Sequence, residues 1–578
     1  MHGIIFLTFG TGVQQLPNMY GFTVLFLILI IVSLDFQNFR DRSCHAPHCS
    51  MQCTMLGVNK IMSKIADIVL QSNCVFTAAG AAPFAGYVAV ADGKILEVGA
   101  GACPKGLIGS ETQVCDLGDR TVTPGFSDVH CFFTGYSIGF VGADLSAAKT
   151  PAELVSLAKA YAETIPADRP VLCHGWDTET IHPEGTAELD AAFGTRPVIL
   201  FAVGCETCWM NQAALDTYQF TPAECYPEAY WRLLPDILGN RDFIVPMFRD
   251  YMKMMNSRGV TSVKEMGFDQ FYGFTDVLAD LEKAGELTLR VNFMSQPCGE
   301  GANIDYGKRM REKFQGEFVR FSGYNRMTDG SISQLCGELK KPYLCADTTC
   351  AQDIDWNMIT EEAHAVDDAG FRFSLHAQGD AAICKVIDIY DTCRKDENGK
   401  LLNRHAITDL EFSDPADLER MGKLGVIAEV YPQIQSIADA ESKIAMIKEK
   451  IGMDRGRYYW NRRKMIDSGV PVSCGTDLPL CIDDIPQSVY HCVGGYFPEG
   501  GEPFSKQNML TVPELLTAWT KGGAYNLGCE EKRGTLEAGK QADIAVLSGD
   551  IFTTPVEDAR SLCVDLTLVG GKIVHSNL

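Results

Sequence analysis

The chain has 578 residues, more than an ordinary single domain, and 46% of them are hydrophobic while 21% are charged. This composition is that of a globular protein and excludes disordered, collagen-like and coiled-coil classes. Acidic residues outnumber basic ones by 74 to 50, which gives a formal net charge of −24. A protein that binds duplex nucleic acid needs a basic surface, so we expect no nucleic-acid partner.

Residues 1–61 contain the one membrane-like segment of the sequence, an apolar run over 20–36. A signal peptide carries positive charge before such a run, but here Arg40 and Arg42 follow it. A membrane-spanning helix needs about 20 apolar residues, and this run is marginal. We predict a disordered leader over 1–61, little contact with membranes and a cytoplasmic protein. A membrane anchor through residues 20–36 is the alternative.

The 22 cysteines are scattered along the chain, many of them inside apolar stretches such as 171–173 and 471–474. Small secreted proteins use dense cysteines as cross-links, whereas a chain of this length can build its own hydrophobic core. We interpret most of the cysteines as buried reduced thiols. This interpretation disfavours export into an oxidising compartment.

Two hairpin-like patterns lie near opposite ends of the sequence. Residues 87–98 alternate around an Asp-Gly dipeptide, and residues 566–575 alternate around a Gly-Gly dipeptide. Both dipeptides suit tight turns with positive φ between two strands. We predict a small β-sandwich domain built from both chain ends, over 63–120 and 531–578.

Between these ends, apolar strand-like runs alternate with helical stretches. The ten candidate strands are 125–131, 170–174, 197–203, 260–264, 287–293, 318–328, 371–376, 404–410, 425–431 and 470–476. Alternation of strands and helices over this length is typical of a parallel sheet, and eight repeats are typical of a barrel. We therefore predict the α/β class, with a (β/α)8 TIM-like barrel over 121–530. An insertion around 205–300 would hold the surplus strands.

The carboxyl ends of barrel strands carry the chemistry in folds of this kind. The first candidate strand ends at His130, and alternation puts Asp128 on the same face, where it would orient this histidine or accept from strand-end amides. Three later strands end with His376, Asp409 and Asp477. Imidazoles and carboxylates are groups that bind metal ions or transfer protons.

The order of the motifs resembles the amidohydrolase superfamily, and most closely its branch of D-aminoacylase-like and N-substituted-formamide-deformylase-like enzymes. The resemblance covers about 63–578. Its motifs are Pro-Gly-Phe-x-Asp-x-His at 124–130, Gly-Val-Thr-Ser-Val at 259–263, Met-Thr-Asp-Gly at 327–330, His-Ala-x-Gly-Asp at 376–380, Gly-Thr-Asp-x-Pro at 475–479 and Gly-x-Leu-x-Ala-Gly-Lys-x-Ala-Asp at 534–543.

This resemblance implies a set of metal ligands. The family has His-x-His on strand one, often a carboxylated lysine on strand four, histidines on strands five and six, and an aspartate on strand eight. His130, His376 and Asp477 match the first histidine, the strand-five histidine and the strand-eight aspartate, and Asp409 replaces the strand-six histidine. We expect these four residues to bind the metal.

Two positions depart from the family pattern. Phe132 stands in place of the second histidine, and Asn325 stands in place of the bridging lysine, while Lys264 is on the wrong strand to replace it. Without the bridging group, two cations would not be held close together. We expect one divalent ion, with zinc first and manganese or iron(II) as alternatives, or none if the site is degenerate.

Three further residues are candidates for substrate binding. Glu206 lies where this branch usually has a histidine near the substrate; it would pair with a cationic substrate group or be solvated. His174 ends the run 170–174 and would face the barrel mouth, or have a structural role. Asp329 belongs to the Met-Thr-Asp-Gly motif.

The resemblance implies hydrolysis of a C–N bond in an amide, a cyclic amide or an N-acyl group of a small molecule. In this reaction Asp477 would be the catalytic residue, taking a proton from a metal-activated water and passing it to the leaving nitrogen. Two alternatives stay open: a lyase, isomerase or decarboxylase on the same fold, and an inactive pseudoenzyme that binds a small ligand. By analogy with the family, we expect a homodimer.

Overall fold

The computed structural model describes most of the chain from residue 64 onwards. The described residues are 64–205, 207–220, 231–299, 301–481 and 484–578. The predicted leader over 1–61 with its apolar run 20–36, and also Glu206, lie outside them. None of the described helices has the length and apolar character needed to cross a membrane.

Strands and helices alternate through most of the described chain. The strands are β1 Ile68–Val75, β2 Phe84–Ala91, β3 Lys94–Ala100, β4 Gln113–Asp116, β5 Thr121–Pro124, β6 Phe126–Cys131, β7 Ala143–Asp144, β8 Val171–Trp176, β9 Val198–Ala202, β10 Cys208–Met210, β11 Val260–Phe268, β12 Arg290–Gln296, β13 Val319–Arg326, β14 Phe373–Ala377, β15 Ala406–Asp409, β16 Ile427–Val430, β17 Val472–Cys474, β18 Ile544–Leu547, β19 Val564–Val569 and β20 Lys572–Ser576. The α-helices are Phe133–Ile138, Pro151–Ala162, Ala187–Phe193, Gln212–Tyr218, Leu234–Leu238, Arg241–Ser257, Phe274–Ala284, Ile304–Lys313, Trp356–Asp368, Asp380–Asp391, Pro415–Leu424, Ala440–Lys450, Met453–Gly456, Arg462–Asp467, Val512–Thr517 and Gly523–Asn526.

Eight parallel strands form the barrel, in the order β6-β11-β12-β13-β14-β15-β16-β17. The two ends of this sheet meet where the Phe132 amide donates to the Leu478 carbonyl and the Asp477 amide donates to the His130 carbonyl, each at 2.8 Å. Every residue of β11, β12, β14 and β16 is buried, as expected for parallel strands covered on both faces. The predicted α/β class with a TIM-like barrel is confirmed.

The helix Pro415–Leu424, which follows β15, shows how the sequence sets these elements. Asp414 precedes it and accepts a hydrogen bond from the Ala416 amide, while proline takes the first helical position, where its missing N–H costs nothing. Gly425 ends the helix with a φ of 73°. Leu418 is one of the buried residues on the face of this helix that packs against the strands.

A small β domain is built from both ends of the described chain. Its strands run in the order β3-β2-β1-β5-β18-β19-β20, with β4 paired to β1, so they are hydrogen-bonded into one eight-stranded sheet. Asp92 and Gly93 have φ angles of 50° and 75° in the turn between β2 and β3, as the Asp-Gly dipeptide predicts. Gly570 and Gly571 have positive φ in the turn between β19 and β20.

An additional four-stranded sheet is formed by the part of the sequence between the first and second barrel strands, β6 and β11. It has the order β10-β9-β8-β7 and spans residues 143–210, whereas the sequence placed the insertion around 205–300. Strands β11 and β12, which fall within that predicted range, belong to the barrel. The difference has a physical reason. A short apolar run has the same sequence pattern in either sheet, so the pattern does not show which sheet buries the run.

Free thiols predominate among the cysteines of the described residues. Burial raises the pKa of Cys74 and of Cys173 to about 12, so these thiols stay protonated and unreactive at neutral pH. Cys208, in contrast, is disulfide-bonded.

Candidate active site

The four side chains predicted to bind a metal lie at or just after the carboxyl ends of barrel strands. His130 lies on β6, His376 on β14 and Asp409 on β15, and Asp477 comes shortly after β17. Asp409 and Asp477 have φ angles of 80° and 54°, in the left-handed region that residues with a side chain rarely adopt. Aspartate enters this region more readily than most residues, and residues held in it also occur in turns and at active sites.

His130 and Asp477 form one pair. His130 Nε2 lies 3.7 Å from Asp477 Oδ1, and the Asp477 side chain is 24% exposed. Burial lowers the pKa of His130, which favours the neutral imidazole. A Cβ at Gly475 would lie 2.7 Å from His130 Cβ, so glycine is needed for the close approach of these two segments.

His376 and Asp409 form a second pair. His376 Nε2 lies 3.0 Å from Asp409 Oδ2, which also accepts a 2.7 Å hydrogen bond from Gln378 Nε2. Burial disfavours the charged ring, but the hydrogen bond and charge of Asp409, together with Asp329 and Asp477, outweigh it and raise the pKa of His376 to about 9. The ring is therefore an imidazolium at neutral pH when no other cation is present.

Asp329, predicted to bind substrate, has its carboxylate surrounded by backbone amides. It accepts hydrogen bonds of 2.9 Å each from the amides of Glu338, Gln378 and Gly379. Its Oδ1 lies 3.6 Å from His376 Nδ1, and burial raises the pKa of Asp329 to about 6. These contacts tie the loop after β13 to the end of β14 and place Asp329 beside His376.

His174, the second residue predicted to bind substrate, is not on a barrel strand. It lies on β8 of the additional sheet, and its Nδ1 is 2.9 Å from the Val141 carbonyl oxygen. The assignment of 170–174 to a barrel strand is therefore wrong, and the role of His174 in substrate binding stays a prediction. The run 170–174 resembles a barrel strand in sequence, but it pairs with β7 and β9.

The four predicted metal ligands meet as two pairs and not as one cluster. Among the described residues, no three of these four side chains place their donor atoms within 4.8 Å of one another. The expectation of four donors converging on one point is thus not met by their present rotamers. Within the pairs the distances are 3.7 Å between His130 Nε2 and Asp477 Oδ1 and 3.0 Å between His376 Nε2 and Asp409 Oδ2.

The donor chemistry of this region nevertheless fits one cation. Two ligands of a tetrahedral zinc ion are about 3.3 Å apart when each bond is about 2.0–2.1 Å, and the 3.7 Å between His130 Nε2 and Asp477 Oδ1 is close to this value. His376 Nδ1 is buried without a hydrogen-bond partner. The raised pKa of His376 shows that the surrounding carboxylates attract positive charge.

A buried ion pair lies beneath His130, formed by residues that the carboxyl ends of the strands do not indicate. Lys264 Nζ on β11 donates to Glu429 Oε1 on β16, and both side chains are completely buried. Burial lowers the pKa of Lys264 to about 8, while the pKa of Glu429 stays below its ordinary value because the lysine charge outweighs the cost of burial. A signal was present: a charged residue inside an apolar strand must be paired when buried.

The two positions that depart from the family pattern are filled by side chains that do not ligate metal readily. The Phe132 ring has its centre 5.4 Å from the His130 ring and stacks on Phe268 at 5.7 Å. Asn325 Nδ2 donates to Gln296 Oε1 at 2.8 Å. Neither residue can bridge two ions as a carboxylated lysine does.

A second cluster, Asp367, Cys393 and His405, has the spacing of a metal site but not its chemistry. Its three donor atoms lie within 4.8 Å of one another. The Phe373 amide donates to His405 Nδ1, so His405 Nε2 carries the proton and donates to Asp367 Oδ1, each at 3.0 Å. Neither ring nitrogen has a lone pair left for a metal. This cluster therefore has a structural role, at the barrel end opposite Asp409.

A barrel with histidines and carboxylates at the carboxyl ends of its strands is the architecture of an enzyme. The family model described as the amidohydrolase family matches residues 113–575. The chain belongs to this family, which confirms the resemblance found in the sequence and supports a hydrolase.

Alignments of this chain with two curated relatives cover nearly the whole length of each relative. Protein LONG AFTER FAR-RED 3 from Arabidopsis thaliana is 22% identical, over 98% of this chain and 100% of the relative. N-substituted formamide deformylase from Arthrobacter pascens is 22% identical, over 89% of this chain and 99% of the relative.

A solved structure supports the same fold. It is an uncharacterized metal-dependent hydrolase from Pyrococcus horikoshii, with a TM-score of 0.67 and 20% identity, covering 85% of this chain and 99% of that structure. At this identity the likeness concerns the fold alone.

Proposed function

We propose that the chain hydrolyses a C–N bond, in an amide, a cyclic amide or an N-acyl group of a small molecule, with one divalent metal ion. The observation that carries the proposal is the His130–Asp477 pair: a buried neutral imidazole and a partly exposed carboxylate, 3.7 Å apart, in a chain of the amidohydrolase family. A relative named N-substituted formamide deformylase supports an N-acyl substrate.

His130 and Asp477 would hold the ion, joined by His376 once its ring leaves Asp409. Two imidazoles and one or two carboxylates suit zinc, with manganese or iron(II) as alternatives. When bound, such an ion lowers the pKa of a coordinated water towards ~7 and polarises a carbonyl oxygen.

The side chains of the site account for the proton transfers. Asp477 accepts the proton of the attacking water at its exposed carboxylate and passes it to the leaving nitrogen, which is general acid–base catalysis. Before an ion binds, His376 holds a proton beside Asp409, and Asp329 lies on the other side of its ring. The Phe132 ring packs edge-on against the His130 ring, with the two ring centres 5.4 Å apart.

Metal content and oxygen labelling test the proposal. Elemental analysis of the purified protein should give close to one ion per chain, and both metal and activity should fall in His130→Ala and Asp477→Asn. His182→Ala, which removes an exposed histidine, is the matched control and should change neither. A panel of N-formyl amines, N-acyl amino acids and cyclic amides should yield product that contains oxygen from ¹⁸O-labelled water.

Two other outcomes would point elsewhere. Turnover without the label would favour a lyase, isomerase or decarboxylase reaction. A metal-free chain that binds small amides without turnover would favour a pseudoenzyme, the candidate supported by the separation of the four donors into two pairs.

A further inference from the structure

Glu429 lies on β16, and its side chain is completely buried inside the barrel. Its Oε1 accepts three hydrogen bonds, from Lys264 Nζ, from Asn526 Nδ2 at 2.9 Å and from Ser374 Oγ at 3.2 Å. A buried carboxylate and a buried ammonium are costly unless each is paired with the other. These three bonds therefore fix the carboxylate through one oxygen and leave the second oxygen for another donor.

The second oxygen, Glu429 Oε2, is buried and has no hydrogen-bond partner among the described residues. It lies 3.7 Å from His130 Nδ1. This distance is about 0.7 Å longer than an ordinary hydrogen bond, a gap that a small movement of the two side chains closes. A buried carboxylate oxygen without a donor is costly, because the water that would solvate it is excluded. His130 can supply the proton that this oxygen lacks.

The neutral ring of His130 has one proton, which either of its nitrogens can carry. Burial lowers the pKa of His130, so the ring is neutral at neutral pH. On Nδ1 the proton is directed at Glu429 Oε2, which no other described donor reaches. On Nε2 it is directed at Asp477 Oδ1, whose side chain is 24% exposed and can accept from water. The need of the enclosed oxygen therefore favours the Nδ1–H tautomer.

A hydroxyl group offers His130 Nδ1 a second partner. Thr408 Oγ1 lies 3.4 Å from this nitrogen and 2.6 Å from the Tyr431 hydroxyl. A hydroxyl can donate or accept, so Thr408 is compatible with both tautomers and does not select one. The ionised carboxylate of Glu429 can only accept, since the lysine charge keeps its pKa below the ordinary value. Selection of the tautomer therefore depends on Glu429.

We propose that Glu429 is a positioning residue, which holds the proton of His130 on Nδ1 and thereby directs the lone pair of Nε2 towards Asp477. A metal ion binds the ring nitrogen that has the lone pair, and the hydrogen bond of the other nitrogen decides which one this is. Lys264 acts through Glu429, because it occupies Oε1 and leaves Oε2 to the imidazole. This inference rests on the proposed function, which supplies the ion.

The tautomer of His130 can be measured without any metal ion. The full chain is labelled with ¹⁵N-histidine and treated with a chelator. Correlation spectra that join the ring nitrogens to the ring C–H protons then show which nitrogen carries the proton at neutral pH. His130→Gln assigns the resonances. The wild type should have the Nδ1–H form, and an Nε2–H form would overturn the inference whether or not the protein binds metal.

Replacing the acceptor by a donor should reverse the tautomer. In Lys264→Met/Glu429→Gln both buried charges are removed together, and Asn526 and Ser374 still donate to the amide oxygen, which leaves the amide N–H₂ to donate to His130 Nδ1. The proton should then move to Nε2. Lys264→Met, which keeps the carboxylate, is the matched control and should keep the Nδ1–H form. An Nδ1–H form in the double variant would show that Glu429 does not select the tautomer.

Metal affinity provides a second readout. Mn²⁺ is the probe, because thiolates bind it weakly and the free cysteines would capture zinc. Loss of a group that orients a ligating histidine weakens metal binding by about 10–100-fold, and titration calorimetry should show this loss in the double variant, which has the net charge of the wild type. Equal affinities would overturn the inference while the proposed function stands. A wild type that has the Nδ1–H form but binds no metal ion would instead overturn the proposed function.

Discussion

His376 Nε2 lies 3.0 Å from Asp409 Oδ2, a distance that makes these two residues a hydrogen-bonded ion pair across neighbouring barrel strands. The carboxylate stabilises the imidazolium more than burial destabilises it. A cation that binds His376 at Nε2 must therefore displace both the proton on that nitrogen and the hydrogen bond to Asp409. The state of this pair decides whether His376 is a metal ligand or an acid.

Asp409→Asn should lower the pKa of His376. Removing an opposite charge within about 4–6 Å changes a pKa by roughly 1–3 units, so a value near 9 should fall towards the ordinary range. The measurement is an NMR titration of His376 in chelator-treated protein, with the resonance assigned by His376→Gln. A pKa that stays near 9 would show that Asp329 and Asp477 supply the stabilisation instead.

The carboxyl ends of the strands predict which residues share the barrel mouth, but not which of them are in contact. His130, His376, Asp409 and Asp477 follow strands at their carboxyl ends, and parallel strands bring those ends to one edge. The pairing depends on side-chain rotamers and on the positive φ of the two aspartates, which sequence pattern does not reveal.

Residues inside the barrel were harder to predict than those at its mouth. Lys264 and Glu429 are far apart in sequence, and alternation along one strand says only that a side chain points inwards. Their contact depends on strand order and register around the closed sheet. The runs 170–174 and 197–203 resemble barrel strands for a related reason, since an apolar run does not show which sheet it belongs to.

Breaking the ion pair between Arg290 and Asp543 should destabilise the protein strongly. Arg290 Nε and Nη2 donate to the two oxygens of Asp543 at 2.7 and 3.0 Å, and both side chains are buried where β12 meets the small β domain. Arg290→Met leaves a buried carboxylate without its partner, which costs about 3–5 kcal/mol. Urea unfolding measures the loss as a shift of the transition midpoint.

The exposed pair Arg249–Glu286, at 2.7 Å, provides the control for this change. Arg249→Met should cost at most about 1 kcal/mol, because solvent screens surface ion pairs. Equal losses of unfolding free energy in Arg249→Met and Arg290→Met would show that burial does not increase the contribution of the Arg290–Asp543 pair to stability.

The His405–Asp367 cluster should make stability fall in mild acid. Burial lowers the pKa of His405 below its value of about 6.5 in an unfolded chain. As pH falls through this range, the unfolded chain gains a proton that the folded protein does not, so stability is lost by up to about 1.4 kcal/mol per pH unit. The pKa of Asp367 is also depressed, and its contribution is lost at lower pH still.

His405→Gln should make the pH dependence shallower. The comparison is the change in urea midpoint between about pH 7.5 and about pH 5.5, a window that spans the unfolded pKa of histidine. His364→Gln, which replaces an exposed histidine, should keep the slope of the wild type. Parallel slopes in all three proteins would contradict a neutral buried His405.

Asp128 closes the barrel and holds His130 in place. Its Oδ1 accepts from the amides of Thr476 and His130 at 3.0 and 3.2 Å, and its Oδ2 accepts from Thr476 Oγ1 at 2.5 Å. These bonds join β6 to the segment after β17, as the sequence predicted for an acceptor of strand-end amides. Asp128→Ala leaves buried donors unpaired and should cost about 1–3 kcal/mol.

The same substitution should weaken metal binding, because the positions of His130 and Asp477 both depend on the joined segments. The measurements are urea unfolding and Mn²⁺ titration calorimetry, with Asp128→Asn, which keeps one acceptor oxygen, expected between Asp128→Ala and the wild type. Asp116→Ala removes an exposed aspartate and should change stability by less than about 0.5 kcal/mol. Since Asp128 acts on the predicted ligands through its bonds to His130 and Thr476, unchanged Mn²⁺ affinity in a destabilised Asp128→Ala would show that barrel closure does not position them.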